Sequence, residues 1–274
     1  MDWSRAKSAL IVAFLVLDLF LGWQVRNRVV GMEPGSDLTV ADVRSVQAKI
    51  EAGGVRVECP LPRSRPSLSY LVVRPGTAVL RDTQARLLGA EDSPGGLATL
   101  LDNGVLIYTR EVGSHAGAMP KNDAIGAARA FVERFAGRPM DLEFDYAVAL
   151  GEAWLINFCS KFDGKPVFDS YARVLVRGAE VAEARFSWFE PVGYSQQRRS
   201  VVASTDAVMA AVAELGGGAR GQSVAGVSLG YHSEPYDAKQ WESVPVWRVL
   251  FGSGQAVYVN AHTGEVERPE RPGR

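Results

Sequence analysis

The sequence is poor in the residues that build metal and redox centres. Its 274 residues include two cysteines, Cys59 and Cys159, which excludes a disulfide framework and any cysteine-rich zinc or iron–sulfur module. Cys159 stands beside Asn157 and Lys161 on an expected strand, with nothing to activate a thiolate, and reads as structural. A Cys59–Cys159 bridge is the alternative, since sequence alone does not place the two sulfurs. The three histidines, His115, His232 and His262, lie too far apart for a spacing such as H-x-x-x-H. Neither a metal nor a cofactor is expected. An excess of either charge is also lacking: 30 Lys+Arg against 31 Asp+Glu leave a net charge of -1. No broad positive field exists to hold a phosphate backbone, so nucleic acid is not an expected partner. With 47% hydrophobic and 22% charged residues, the bulk of the chain is globular rather than disordered.

One long apolar run is present. Ala9–Leu17 is unbroken, and Leu19–Trp23 continues it after a single Asp18. Helix over residues 9–25 spans about 26 Å, and Lys7 snorkelling to the interface extends it toward the ~30 Å of a hydrocarbon core. Eleven strongly apolar side chains, at roughly -0.3 to -0.6 kcal/mol each, offset the cost of about 3 kcal/mol for a central Asp. A soluble core helix would need a polar face, and a cleaved signal peptide would need a small-x-small site. Neither is present, because Leu21–Val25 runs straight into Arg26-Asn27-Arg28. The expectation is an uncleaved single-pass anchor at 9–25, a cytoplasmic tail at 1–8, a linker at 26–37 and an extracytoplasmic remainder in the cell membrane. Asp18 shares a helical face with Ile11, Leu15 and Gly22, where a partner helix can approach closely. A protonated Asp18 facing lipid is the alternative.

Behind the linker, three amphipathic helices stand out. The first starts at Thr39, with Asp42 completing a capping box, and ends at Gly53-Gly54. The second is capped by Asn122 and stops at Gly137. The third is capped by Ser204 and breaks at Gly216-Gly217-Gly218. Alternating segments follow the later two: Leu142–Leu150, Trp154–Phe162, Val167–Val176 and Val181–Phe189, then Val224–Tyr231, Val246–Phe251 and Gln255–Val259. Asp163-Gly164 is a hairpin signal. Trp154-x-Ile156-x-Phe158 and Trp247-x-Val249-x-Phe251 repeat one face pattern at equivalent places. The expected class is α+β, a helix followed by an antiparallel meander, used repeatedly. The expected units are 38–118, 119–200 and 201–266, with a frayed tail at 267–274.

Two patterns imitate chemistry. Gly226-Val227-Ser228-Leu229-Gly230, with Asp237 and His262 behind it, has the form of a hydrolase nucleophile elbow. An elbow needs a helix after the serine, and Glu234-Pro235 and its neighbours carry no helical stripe. One strand, with glycines where another backbone approaches, is the better reading. Gly216-x-Gly218-x-x-Gly221 has the dinucleotide-loop spacing but follows a helix instead of a strand, so it reads as a terminator. Asn260–Glu265, around His262, reads as a turn in which Gly264 supplies positive φ. An enzyme is not expected.

The opening Met1-Asp2-Trp3-Ser4, the anchor segment Val16-Leu17-Asp18-Leu19-Phe20-Leu21, Leu61-Pro62, Leu229-Gly230-Tyr231, Val246-Trp247-Arg248-Val249 and Tyr258-Val259-Asn260-Ala261 together resemble the YycI (WalI) family. The ending Tyr258–Val266 is also similar to the last strand and turn of PepSY-type modules. The resemblance implies a single-pass regulator of the WalK (YycG) sensor histidine kinase, in a two-component system tied to the cell wall. It implies action together with YycH through transmembrane and outer-domain contacts. It makes Trp3 and Asp18 positions of the anchor and supplies no catalytic residue; with Gly22 they are the candidate partner interface. The alternative is an anchored PepSY-type module that binds or inhibits an extracytoplasmic protease or wall enzyme.

Overall fold

Thr39 opens the first helix by the mechanism its sequence announces. Its hydroxyl accepts from the Asp42 amide at 3.2 Å while the Asp42 carboxylate accepts from the Thr39 amide at 3.0 Å, so two orphan N–H groups are satisfied reciprocally. The computed structural model describes Phe14 and residues 36–89, 96–113, 119–137, 140–234 and 238–268. The anchor expectation at 9–25, with Trp3, Asp18 and Gly22, lies outside the described residues apart from Phe14. Among the described residues no helix is long and apolar enough to cross a membrane.

Four α-helices are described: α1 (Val40–Ala52), α2 (Thr77–Gly89), α3 (Lys121–Phe135) and α4 (Ser204–Leu215). The strands are β1 (Arg56–Val57), β2 (Ser67–Pro75), β3 (Leu97–Leu100), β4 (Val105–Thr109), β5 (Leu142–Leu150), β6 (Ala153–Phe162), β7 (Lys165–Arg177), β8 (Glu180–Ser187), β9 (Phe189–Ser200), β10 (Ser223–His232), β11 (Trp241–Phe251) and β12 (Ala256–Asn260). The class is α+β, with one large mixed sheet. Its main path runs β3-β4-β8-β7-β10-β11-β2-β9, while β5 and β6 branch from β7, β12 from β11 and β1 from β10.

Several sequence expectations hold locally. Asp163 and Gly164 take φ of 47° and 73° at the β6–β7 turn, the left-handed pair that a type I′ hairpin needs. Gly216 (φ 52°) ends α4, and Gly264 (φ 77°) closes the turn after β12. In that turn the Asn260 side chain accepts from the amides of His262 and Thr263.

Two caps differ from expectation. Pro120, not Asn122, precedes α3, and α4 starts after Ala203. The Ser204 hydroxyl donates instead to the Pro62 carbonyl at 2.6 Å, a long-range partner that outcompetes the local cap. Helix α2 and strands β2, β3 and β4 were not anticipated, because Pro75-Gly76 reads as a loop and masks the helix start. The run Val181–Phe189 breaks at Trp188 into β8 and β9. Glu267 and Arg268, at the start of the expected frayed tail, are tied down: the Glu267 amide donates to Tyr258 O, and Arg268 forks onto Glu214.

Residues from Leu38 onward form one compact unit with two main cores. In the first, Leu80 and Leu87 of α2 and Phe131, Val132 and Phe135 of α3 cover Ile156, Phe158, Val174 and Phe186 of the sheet. In the second, Ile50 of α1 and Ala207, Val208 and Ala211 of α4 cover Val224, Trp247, Val249, Phe251 and Val259. Residues of the stretch 38–118 are thus shared between the cores, α1 and β1 joining the second and α2, β3 and β4 the first.

The matched tryptophan strands prove to be equivalent in three dimensions. Trp154 Nε1 donates to Met119 O at 2.8 Å, and Trp247 Nε1 donates to Val202 O at 3.0 Å. Each acceptor is the residue just before the N-cap of the helix covering that strand. The bulges match as well. Between Phe144/Phe158 and Tyr146/Asn157, strand β5 carries one extra residue, Asp145; between Val224/Phe251 and Gly226/Leu250, strand β10 carries Ala225.

Candidate functional site at the seam between the cores

Few backbone bonds join the two halves directly. Strand β7 meets β10 at a single parallel bridge, Tyr231 to Val167, and β2 links them from outside by pairing with both β11 and β9. Apolar side chains of both halves meet there, Val167 and Phe189 with Leu71, Val73 and Tyr231, and buried charge closes the rest.

The bulge turns Asp145 toward β11, since an extra residue bends its strand and re-aims its side chain. Arg248 Nη1 and Nη2 reach its two carboxylate oxygens at 2.5 and 2.6 Å. The side chains are only 8% and 14% exposed, and such a bidentate fork is the strong form of the pair. Asn157 Nδ2 donates to the same carboxylate at 3.0 Å, and the guanidinium carbon lies 4.4 Å from the Phe168 ring centroid, a cation–π contact.

A second pair lies farther along β7 and β10. Asp169 Oδ1 is 2.7 Å from His232 Nδ1, and its Oδ2 accepts from the Ser233 amide at 2.8 Å. The imidazole stacks on Tyr258 with centroids 4.0 Å apart. Burial opposes the charged imidazole, yet the charge and hydrogen bond of Asp169, backed by Glu267 and Glu234, raise the His232 pKa above the ordinary histidine value. His262 goes the other way. Burial lowers its pKa, only partly offset by its bond to Leu68 O.

His232 and Tyr258 line a groove of about 710 Å³ whose rim carries Glu214, Glu234, Glu242, Glu267 and Arg268. This is an acidic concavity with an imidazole in its wall. It favours the protonated form of His232 more than water does, and it presents carboxylates to a cationic group.

The sign of the pH effect follows from the raised pKa. His232 contributes stability that is fully present below the unfolded-state histidine pKa of about 6.5 and is lost as pH rises through the higher folded value. His262 opposes it, losing stability as pH falls below about 6.5. Thermal unfolding of wild type and His232→Asn from pH 5 to 9 separates the two. The wild-type advantage is expected to shrink as pH rises, and a pH-independent difference would exclude this coupling.

The motifs that imitate chemistry resolve as local structure. Gly226–Gly230 lies wholly within β10, with Ser228 opposite Arg248 in the ladder and no elbow turn. His262 Nε2 lies 3.2 Å from Leu68 O, and its ring stands edge-on to Tyr70; Asp237 lies outside the described residues. Cys59 and Cys159 are both free. The Cys159 thiol donates to Val167 O at 3.1 Å, and burial pushes its pKa up, as fits a structural residue. Among the described residues no group of three His, Cys, Asp or Glu side chains is placed to hold a metal.

Asp145, Asp169, His232 and Arg248 were not anticipated as a group. The available signal was a charge inside a buried strand, Arg248 within Val244–Phe251 and Asp169 within Val167–Tyr171.

The α+β architecture, with its large sheet covered by helices, resembles the fold of YycH. YycH from Bacillus subtilis superposes with a TM-score of 0.50 at 12% identity, over 86% of this chain and 59% of that one; the chain thus spans little more than half of YycH. An uncharacterized protein from Eubacterium rectale (TM-score 0.47, 10% identity, 74% of this chain, 87% of that chain) and the C-terminal domain of YpeB from Bacillus megaterium (0.35, 13%, 70% and 94%) are also similar. No family model and no curated protein matches the sequence.

Proposed function

We propose that this chain is a membrane-anchored extracytoplasmic regulator of a WalK (YycG)-type sensor histidine kinase, of the YycI kind, acting with a YycH-type protein. The observation that carries the reading is the fold shared with YycH over 86% of the chain. The resemblance of the anchor and closing motifs to YycI supports it independently. In this reading residues 9–25 span the membrane with the N-terminus inside, and the unit from Leu38 onward stands outside. Regulation is a population shift: the anchor and outer unit bind one kinase conformation better than another, and that difference in affinity sets the output.

The test is co-purification from detergent-solubilised membranes that contain the kinase and the YycH-type protein. Recovery of the kinase supports the reading; its absence, or recovery of a secreted peptidase in its place, overturns it. The anchor is tested by Asp18→Leu and Gly22→Leu, with membrane abundance and kinase-dependent reporter output measured together. Asp18→Leu strengthens insertion by roughly 3 kcal/mol, so abundance is expected to hold while coupling weakens. Gly22→Leu is expected to do the same by pushing a partner helix off that face. Wild-type output from both variants would reduce the anchor to a tether.

A further inference from the structure

A second concavity, of about 480 Å³, lies at the head of α2 and is independent of the kinase reading; Gly76, Thr77, Leu80, Trp188, Phe189 and Trp241 line it. Gly76 precedes the helix, and its carbonyl accepts from the Leu80 amide at 3.2 Å, which is the N-cap role. Having no side chain, it offers no cap. The first turn contains no acidic residue, and the amides of Thr77, Ala78 and Val79 have no acceptor among the described residues. Three N–H groups and the positive end of a 13-residue helix therefore point out of its first turn.

An independent donor stands beside them. A Cβ built on Gly76 would lie 1.9 Å from Trp188 Cδ1 and 2.7 Å from Cγ, so the pyrrole edge of the indole abuts the helix start. Nε1 is bonded to Cδ1. Trp188 is only 8% exposed, and its Nε1–H has no hydrogen-bond partner among the described residues. That N–H is not sealed from solvent, and Trp188 belongs to the wall of the concavity. The remaining wall is aromatic: Phe189 and Trp241 meet edge to face at 5.0 Å. Trp241 is already engaged, donating to Ser233 Oγ at 2.8 Å.

We propose that this pocket binds a single carboxylate attached to a bulky apolar group, the chemistry of a peptide C-terminus ending in an aromatic or branched residue. The carboxylate sits on the first-turn amides of α2 and on the Trp188 indole N–H, and the apolar group lies against Phe189 and Trp241. Helix N-termini favour anions in general. Asp102, exposed at the rim, selects a monoanion over a phosphate dianion by repulsion.

The test titrates the full-length protein in detergent with N-acetylphenylalanine and with its uncharged amide, following the tryptophan indole N–H resonances by NMR. Trp188→Phe assigns the signal and removes the donor while keeping a ring. The carboxylate is expected to saturate, to move the Trp188 resonance and to bind about tenfold tighter than the amide, as suits a charge-assisted hydrogen bond. Ala78→Asp, at an exposed first-turn position, places a carboxylate on the same amides; it is expected to raise the melting temperature slightly and to weaken binding about tenfold. Equal affinity for acid and amide, binding unaffected by Ala78→Asp, or inorganic phosphate competing as well as the carboxylate would each overturn the proposal.

Discussion

Asp145→Leu is expected to destabilise the unit from Leu38 onward by about 3–5 kcal/mol, read as a fall in the urea midpoint at unchanged slope. The substitution leaves Arg248, 8% exposed, with its guanidinium inside the protein and its carboxylate gone. Its Nε already makes no hydrogen bond, so Nη1 and Nη2 would join it as uncompensated donors. Asn157 would lose an acceptor as well. Most of the loss is the penalty of a stranded buried charge, not the net worth of the pair, so removing both charges is expected to be milder. Asp145→Leu with Arg248→Met should recover most of the stability, because the apolar replacements fill the same space without charge. A single-variant loss below about 1 kcal/mol would mean that water reaches the guanidinium.

Gly230→Ala is expected to cost about 3 kcal/mol, the upper range for overpacking. The added Cβ would lie 2.4 Å from Pro166 O and 2.8 Å from Phe168 Cε2. The first obstacle is backbone, which does not rotate away as a side-chain tip does. The strain falls next to Tyr231–Val167, the single backbone bridge between β10 and β7, so the variant should loosen the seam itself. Gly226→Ala is the internal control. Its nearest neighbour is Leu250 Cβ at 3.7 Å, an ordinary contact, and a change within about 0.5–1 kcal/mol is expected. Equal effects from the two glycines would contradict the close approach of β7 at Gly230. In the pattern Gly226-x-Ser228-x-Gly230, only the second glycine is required by packing.

Features that depend on residues a few positions apart were legible in advance. The Thr39–Asp42 capping box, the Asp163-Gly164 turn and the Asn260–Gly264 turn are each decided by local hydrogen bonds and allowed φ values. The strands from Leu142 to Val176 and from Val224 to Val259 were also legible, because alternation of apolar and polar residues records which face is buried. Local signals failed where a distant group intervened. Ser204 has the character of a helix cap, yet its hydroxyl serves Pro62 O. Helix α2 carries Leu80, Thr83 and Leu87 on its buried side, but the Pro75-Gly76 loop signal hid its start, and only contact with α3 and β3 gives that side something to cover.

Composition and local pattern by themselves determined the class: an α+β chain without metal-ligand spacing, bearing an apolar segment near one end and a tryptophan strand pattern used twice. These follow from hydrophobic period, turn chemistry and residue counts, none of which requires knowing what lies across the sheet. Tertiary structure alone decided the seam. Asp145 and Arg248 are separated by 103 residues, and Asp169 and His232 by 63. Whether such residues are solvated or paired depends on a one-residue bulge and on which strand becomes the neighbour of β10. The same holds for the pocket at α2, where Gly76 and Trp188 meet only because the β2–β9 pairing brings the chain back. Burial patterns are written residue by residue, whereas partners are chosen by register.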